Sequence, residues 1–163
     1  MSQALSRSFK LVTVWLLVAT VVFVATQWWQ RRAAAMRFRA DGDIVEIHRS
    51  ADGQYHWPGR GNGRAVDFLV DTGASGTAIS ASLARELRLP SLGAVRSSTA
   101  GGAVTGQLVT ADISLRGGVT VHQLRVAALP ALGRSQLLGM DVLGRLNLQQ
   151  RDGVLQIDPA PSR

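Results

Sequence analysis

From residue 41 onward the chain alternates apolar and polar residues, whereas a single long apolar run dominates the part before it. Strand side chains point to opposite faces in turn, so alternation with period two predicts β-strands. In the most apolar stretch, Val66, Phe68 and Val70 point to one face and Asp71 to the other. Short strands with regular turns predict a closed, mostly β domain with one or two short helices.

The predicted elements are short and follow one another closely. A helix over residues 81–87 is capped by Ser80 and stopped by Pro90, and a second helix covers residues 140–145. Residues 58–64 are predicted to form a loop that leads into the central strand. Besides that central strand, strands are predicted at residues 43–48, 54–57, 94–100, 103–115, 119–129, 146–150 and 154–158.

The apolar run at residues 11–29 contains no charged side chain and predicts a transmembrane helix. An alternative is a cleaved signal peptide with its cleavage site at residues 33–35. The anchor interpretation divides the chain into five parts. These are an N-terminal tail (1–10), the anchor (11–29), a juxtamembrane linker (30–42), the β domain (43–158) and a C-terminal tail (159–163).

The net charge of +7 belongs to the N-terminal part rather than to the β domain. Residues 1–40 hold six basic and no acidic side chains, whereas residues 41–163 hold twelve basic and eleven acidic ones. Anionic lipid headgroups account for basic residues beside a membrane segment. A nucleic-acid surface needs a clustered basic patch, and the β domain has none, so we predict no nucleic-acid partner.

The candidate chemistry lies where the central strand ends, at Asp71-Thr72-Gly73-Ala74-Ser75. Gly73 allows a tight turn, and Thr72 and Ser75 place hydroxyls beside the carboxylate. A carboxylate among hydroxyls and turn amides can transfer protons. The alternative is an ordinary turn that an Asp initiates.

Asp71-Thr72-Gly73-Ala74 resembles the active-site motif of aspartic proteases, specifically of the retropepsin-like kind with one motif per chain. Residues 136–143, Gln-Leu-Leu-Gly-Met-Asp-Val-Leu, resemble the second signature of that family, two aliphatic residues and a Gly that open a short helix. The resemblance covers roughly residues 43–158. It implies a retropepsin-like closed acid-protease barrel, an aspartic endopeptidase activity, a protein or peptide substrate and no cofactor.

Hydrolysis by carboxylates alone needs two of them that share one proton, because like charges in contact cannot both ionise. The chain holds one Asp-Thr-Gly, since Asp41, Asp52 and Asp152 directly precede Gly and Asp141 precedes Val. The resemblance therefore implies a homodimer, in which a two-fold axis brings Asp71 against Asp71 of a second chain.

The resemblance also assigns roles to single residues. Asp71 is the catalytic carboxylate, Thr72 bonds across the dimer, Gly73 allows close backbone approach, and Ser75 supports the carboxylate from outside. The structural signature packs beneath this motif and consists of Leu137, Leu138 and Gly139. The hairpin tip occupies the position of the flap, or is merely a hairpin turn, and consists of Thr99, Ala100, Gly101, Gly102 and Ala103.

Two indications of membrane orientation disagree. Arg7 and Lys10 flank one end of the anchor and four arginines, Arg31, Arg32, Arg37 and Arg39, the other, which by count favours a cytoplasmic β domain. Similar bacterial proteins carry one N-terminal helix and a periplasmic protease domain. We therefore expect a single-pass protein of the bacterial inner membrane with its protease domain in the periplasm.

Other chemistries find little support in the residues. The chain has no Cys and three His, at 48, 56 and 122, with no close His/Glu cluster, so we predict no metal site. His48 and His56 could face each other across the first predicted hairpin. No Gly-x-Ser-x-Gly elbow is present. The alternative function is a non-catalytic peptide-binding or scaffolding domain on the same fold, with Asp71 as a turn residue.

Overall fold

The computed structural model describes residues 12–26, 37–40, 43–99, 101–133 and 135–159. The chain divides into two compact units, residues 1–35 and residues 36–163. In the first unit, residues 12–26 form helix α1. Its apolar side chains are exposed, as Trp15 shows with 69% of its surface accessible.

Within the described residues, no helix has both the length and the apolarity needed to cross a bilayer. The anchor predicted at residues 11–29 is described over residues 12–26 only, and its two ends lie outside the described residues. The transmembrane helix therefore stays a prediction.

The described residues of the second unit form eleven strands, two short α-helices and one 3₁₀ turn. The helices are α2 (Ala81–Glu86) and α3 (Met140–Leu143), and the 3₁₀ turn is Pro130–Leu132. The strands are β1 (Arg37–Ala40), β2 (Val45–His48), β3 (His56–Gly61), β4 (Arg64–Val70), β5 (Ala78–Ser80), β6 (Ser91–Thr99), β7 (Gly102–Leu115), β8 (Val119–Leu129), β9 (Gln136–Leu138), β10 (Asn147–Arg151) and β11 (Val154–Asp158).

Six of the strands close into a barrel. The larger sheet has the order β1-β8-β5-β9-β4-β3-β7-β6, and an additional pairing of β8 with β7 joins the two sides of that sheet. Strands β8, β5, β9, β4, β3 and β7 therefore form a closed ring. Closure removes the free edges of these six strands, while β1 and β6 extend outward from the ring.

The barrel is filled by the apolar face that the alternation predicts. Val66 and Phe68 of the central strand β4 are buried, and Trp57 on the neighbouring β3 is fully buried. The indole N–H of Trp57 donates to the carbonyl of Arg116 at 2.8 Å, so its one polar atom is satisfied. Burial of these side chains removes apolar surface from water, and this burial is the main stabilisation of a small β domain.

The remaining strands form a second sheet in the order β10-β11-β2. β10 and β11 make a hairpin in which Arg151 pairs with Val154 across Asp152 and Gly153. Both turn residues have positive φ, 50° and 79°, which a two-residue type I′ turn requires. This hairpin confirms the predicted strands at residues 146–150 and 154–158 to within one residue.

Most predicted elements are confirmed, but the first hairpin was wrong. Residues 58–61, which lie in the loop predicted at residues 58–64, are the last four of the six residues of β3. β2 pairs with β11, not with the strand that follows it. Pro58 stands opposite Asp67 in the β3–β4 ladder. The loop was predicted to begin at Pro58 because Pro usually interrupts strands. His48 and His56 therefore do not face each other across one hairpin.

Both ends of the predicted domain also need correction. β1 lies inside the predicted linker 30–42 and pairs with β8 in antiparallel register, Arg37 opposite His122. Pro159, which the sequence analysis assigned to the C-terminal tail, is fully buried. Its neighbours from residue 160 onward lie outside the described residues.

Candidate active site

Asp71 follows directly after β4, at the point where the strand leaves the barrel sheet. Its backbone N–H donates to the carbonyl of Leu138 at 3.0 Å, which continues the parallel pairing of β4 with β9 for one more residue. Its Oδ1 accepts the N–H of Gly73 at 2.9 Å. The side chain is half-buried. The strand therefore fixes the backbone of Asp71, and the turn fixes one carboxylate oxygen.

The structural signature lies next to the turn that carries Asp71. β9 lies between β4 and β5, with Leu137 opposite Leu69 and Leu138 opposite Val70. The N–H of Met140 donates to the carbonyl of Ala74 at 2.9 Å. Leu137 and Leu138 are thus paired with the strand that leads to Asp71, and the role of Leu137, Leu138 and Gly139 as a structural signature of the site stays a prediction.

Gly139 is required by a close approach of two backbones. A Cβ added at Gly139 would collide with the carbonyl group and the Cα of Gly76 in the turn. Its φ of −96° is ordinary, so space rather than backbone freedom excludes a side chain here. The signature Gly thus lets α3 approach the loop that carries Asp71.

The sequence analysis did not predict a hydrogen-bonded pair, Thr77 and Asp141, that lies beside Gly139. The hydroxyl of Thr77 donates to Oδ1 of Asp141 at 2.7 Å, and the backbone N–H of Thr77 donates to Oδ2 at 2.9 Å. The same hydroxyl accepts the N–H of Gly139 at 3.2 Å. Thr77 is almost completely buried. These three bonds join the strand after the motif to the first turn of α3.

Gln136 supplies a further buried polar contact that the sequence analysis did not single out. Its Oε1 accepts the N–H of Ser80 at 2.8 Å, and the hydroxyl of Ser80 caps α2 through the N–H of Leu83 at 3.2 Å. Both Gln136 and Ser80 are buried. A polar residue next to two Leu could have indicated a buried polar contact. Its partner could not be predicted, because Ser80 lies 56 residues away in the sequence.

The two hydroxyl residues of the motif are both exposed. Thr72 lies at the surface of the turn, where a second copy of the chain could reach it. Ser75 is exposed as well, and its hydroxyl makes no hydrogen bond to Asp71 or to any other described residue. Their predicted roles, across a dimer and beside the carboxylate, stay predictions.

The predicted flap is the tip of the hairpin β6–β7. The two strands pair from Ser91 with Val109 to Thr99 with Gly102. The hydroxyl of Thr99 donates to the carbonyl of Gly102 at 2.8 Å, and Gly102 has a positive φ of 109°. Gly101 and Ala103 belong to this tip, while Ala100 lies outside the described residues. The hairpin is confirmed, and its role as a lid stays a prediction.

The site is open in a single chain. Three surface cavities, of about 400, 650 and 340 Å³, lie elsewhere, and Asp71 lines none of them. Asp71 is partly exposed, and Thr72 and Gly73 beside it are exposed.

Two of the three His residues, His56 and His122, lie beside carboxylates. Nδ1 of His56 lies 2.8 Å from Asp67 and Nε2 lies 2.9 Å from Asp52. The hydrogen bond to Asp52 and the bond and charge of Asp67 raise the pKa of His56, against a smaller opposing effect of burial. His122 lies 3.6 Å from Asp112. Among the described residues, no group of His, Asp and Glu could hold a metal ion.

Comparison with known proteins agrees with this geometry. The sequence model of the family described as "gag-polyprotein putative aspartyl protease" matches residues 57–145, more than half of the chain. The chain belongs to this aspartyl protease family, and the match contains both Asp71 and the signature at residues 137–139. No curated protein matches the chain significantly.

Solved structures share the fold. A retropepsin-like aspartic protease from Rickettsia conorii is 18% identical, with a TM-score of 0.55 over 76% of this chain and 92% of its own. The EIAV protease complexed with the inhibitor HBY-793 is 20% identical, with a TM-score of 0.48 over 58% of this chain and 89% of its own. The similarity to the Rickettsia protein supports a retropepsin-like fold for the six-stranded barrel.

Proposed function

We propose that the protein is an aspartic endopeptidase that works as a homodimer, with one Asp71 from each chain. The observation that carries this proposal is the position of Asp71. A half-buried carboxylate, held at one oxygen by the N–H of Gly73, ends the central strand in an accessible turn. Membership of an aspartyl protease family supports the same chemistry.

The proposed mechanism uses two carboxyl groups that share one proton. The ionised group takes a proton from water as the water attacks the peptide carbonyl, and the protonated group donates toward that carbonyl oxygen. The group that took the proton from water then gives it to the leaving nitrogen as the C–N bond breaks, while the other group takes a proton back from a hydroxyl of the tetrahedral intermediate, so the pair again carries one proton. The two groups titrate as one coupled pair, so neither acid keeps a fixed role.

The surroundings of Asp71 fit a rigid support for this pair. The turn is tied to β9 and α3 through Leu138, Met140 and the Thr77–Asp141 pair. Preorganised groups stabilise charge in a transition state without rearranging when the reaction occurs. The hairpin tip around Gly101 is proposed to close over a bound peptide and exclude water.

The test is cleavage of casein by the full-length protein in detergent at acidic pH. Asp71→Asn keeps the shape of the side chain but removes its ionisable proton. We expect a loss of cleavage of about 10³-fold or more with the fold intact, because an essential acid/base group is lost. Asp67→Asn, an exposed carboxylate on the same strand, is the matched control and should keep activity within a few-fold.

Two results would decide against this function. Near wild-type cleavage by Asp71→Asn would exclude the aspartic mechanism. If wild type and Asp71→Asn both bind peptides and neither cleaves casein, the result would favour the alternative function, a non-catalytic peptide-binding or scaffolding domain.

We further propose that the N-terminal helix anchors the protein in the bacterial inner membrane, with the protease domain in the periplasm. The charge-free run at residues 11–29 and the exposed apolar side chains of α1 support an anchor. A C-terminal alkaline phosphatase fusion should be active if the domain is periplasmic. An inactive, well-expressed fusion, together with an active cytoplasmic reporter at the same site, would place the domain in the cytoplasm.

A further inference from the structure

A surface cavity of about 400 Å³ lies between helix α2 and the strands β7 and β8. We propose that this cavity binds a single-chain anionic amphiphile, a molecule with one hydrocarbon chain and a negatively charged head, and that the bound molecule restrains the hairpin β6–β7. The binding itself is independent of the proposed function. Its effect on peptide cleavage rests on that function.

The inner surface of the cavity is apolar. Ala84 of α2, Val109 of β7 and Ala128 of β8 line it, and all three are buried. Two of the three are Ala, whose short side chains leave space between the helix and the strands. The volume lies within the range of small-molecule sites, roughly 300–1,000 Å³. The inside of the cavity therefore suits an apolar group.

The strands that line the cavity offer no free backbone edge. Gln107 of β7 pairs with Ala94 of β6 on one side and with Ala128 of β8 on the other. Ala128 in turn pairs with Ile79 of β5 on its far side. A peptide in this cavity would bury amide groups that find no backbone partner, which is costly. A hydrocarbon chain has no such groups, so the cavity favours a hydrocarbon chain over a peptide.

Two exposed arginines, Arg85 and Arg88, line the cavity as well. The Nε–H of Arg85 donates to the carbonyl of Ala81 at 3.3 Å, and neither guanidinium has a carboxylate partner in the described part of the chain. Glu86, which lies between them in the sequence, pairs with Arg64 instead. None of the described residues around the cavity is acidic. The two guanidiniums therefore complement a carboxylate or phosphate head.

The backbone at Arg88 has a conformation that usually belongs to Gly. Its φ is 51°, in the left-handed region. The N–H of Arg88 donates to the carbonyl of Arg85 and the N–H of Leu89 to that of Ala84, both at 3.0 Å, so α2 ends in a Schellman motif. Gly would adopt this conformation without strain. Strained residues concentrate at functional sites, and the strained residue here carries one of the two charges.

The cavity lies at the root of the hairpin whose tip is the predicted flap. Among the described strands, β7 pairs with β6 alone over residues 102–106 and gains β8 as a second partner at Gln107. The hairpin therefore leaves the barrel at Gln107, which lines the cavity. The N–H of Thr110 donates to the carbonyl of Pro90, the residue before β6, at 3.4 Å. A molecule in contact with both α2 and this root would hinder the movement of a lid that must open and close.

The binding test uses the full-length protein in phosphatidylcholine nanodiscs. The probe is dodecanoate with a photoreactive diazirine at the end of its chain, and mass spectrometry of the digested protein locates the attached probe after irradiation. Arg85→Gln/Arg88→Gln removes both charges from the cavity. Arg60→Gln/Arg125→Gln is the matched control, because it changes the net charge equally and both residues are exposed and lie outside this cavity.

Within residues 43–159, we expect the probe on residues that line the cavity. Labelling there should fall about tenfold or more in Arg85→Gln/Arg88→Gln, because each charge-assisted hydrogen bond that is lost lowers the affinity by about that factor. The control should label like wild type. Excess dodecanoate should displace the probe, whereas dodecanol, which has no charge, should not.

Three results would overturn the assignment of the site. The first is a probe attached mainly elsewhere in the β domain. The second is equal labelling of wild type and Arg85→Gln/Arg88→Gln. The third is displacement of the probe by an apolar peptide with a free C-terminal carboxylate but not by dodecanoate, which would make the cavity a peptide site.

Casein cleavage tests the restraint on the hairpin. Dodecanoate at a concentration that saturates the labelling should slow cleavage by wild type about fivefold or more, a typical allosteric coupling, and should not slow Arg85→Gln/Arg88→Gln. Unchanged cleavage by wild type at saturation would overturn the restraint. If wild type does not cleave casein at all, the proposed function and the restraint both fail, while the labelling still decides the binding site.

Discussion

Replacement of Thr77 by Val removes one oxygen atom from the support of the active-site turn and keeps the shape of the side chain. The Thr77 hydroxyl makes two of the three bonds that join β5 to α3, one to Asp141 at 2.7 Å and one from Gly139 at 3.2 Å. Val can make neither bond. The third bond, from the N–H of Thr77 to Asp141, remains.

The expected cost follows from these two losses. A hydrogen bond to a charged group contributes about 1.5–3 kcal/mol, and a buried N–H left without an acceptor costs about 1–3 kcal/mol. Burial of an additional methyl group returns roughly 1 kcal/mol. We therefore expect Thr77→Val to lower the free energy of unfolding by about 3 kcal/mol, and to lower casein cleavage because the turn that holds Asp71 loosens.

Urea unfolding of the full-length protein in detergent measures this change, followed by tryptophan fluorescence in a background in which Trp15, Trp28 and Trp29 are replaced by Phe, so that the signal comes from the fully buried Trp57. With a slope of about 2 kcal/mol per molar urea, the midpoint should fall by about 1.5 M. Thr77→Ser keeps the hydroxyl and should cost only about 1 kcal/mol, the value of one buried methyl group. The exposed Thr105→Val should change stability by less than about 0.5 kcal/mol. If Thr77→Val unfolds within about 0.5 kcal/mol of wild type, the assigned role of the pair is wrong.

Two further predictions concern the backbone contact at α3 and the His56 ion pairs. Gly139→Ala should destabilise the protein by about 2 kcal/mol or more, because its Cβ meets backbone of Gly76 that cannot move aside. The control is Gly63→Ala, where an added Cβ meets no other atom but φ is positive, and this variant should cost about 1 kcal/mol. Equal urea midpoints for the two variants would contradict the close approach of Gly139 to Gly76. The pKa of His56 is raised above its ordinary value of 6.5 by Asp52 and Asp67, so His56 stabilises the fold below that pH and this stabilisation is lost as pH rises through the raised pKa. Wild type should therefore lose more stability than His56→Asn between about pH 6 and pH 8, and identical pH profiles in urea unfolding would show that the two ion pairs contribute nothing.

Local patterns were enough to predict much of the fold. The alternation of Val66, Phe68 and Val70 predicted the buried face of β4. The short gaps between the predicted strands 103–115 and 119–129, and between 146–150 and 154–158, are turns in the structure, with Gly117 and Gly153 at positive φ. The cap of α2 by Ser80 could be predicted because the interaction spans three residues. These features depend on neighbours in sequence, where short patterns are informative.

The features that the sequence did not reveal depend on partners far along the chain. The strand order of the small sheet was missed because β2 pairs with β11 rather than with a neighbour. The Thr77–Asp141 pair joins residues 64 positions apart, and nothing around either residue indicates the other. The strand predicted at residues 54–57 ended too early because Pro58 and Gly59 are typical of loops. The pairing of β3 with β4 nevertheless continues through both residues. Tertiary contacts overrode local preference at each of these places.

The most direct test of the central claim, a catalytic pair built from two chains, is a titration of wild-type protein with Asp71→Asn under confirmed subunit exchange. A mixed dimer holds only one ionisable acid and should be inactive. With random pairing, specific activity per wild-type chain should therefore fall in proportion to the wild-type fraction, and total activity with its square. Total activity that falls only in proportion to the wild-type fraction would mean that each chain works alone, and would contradict the shared pair.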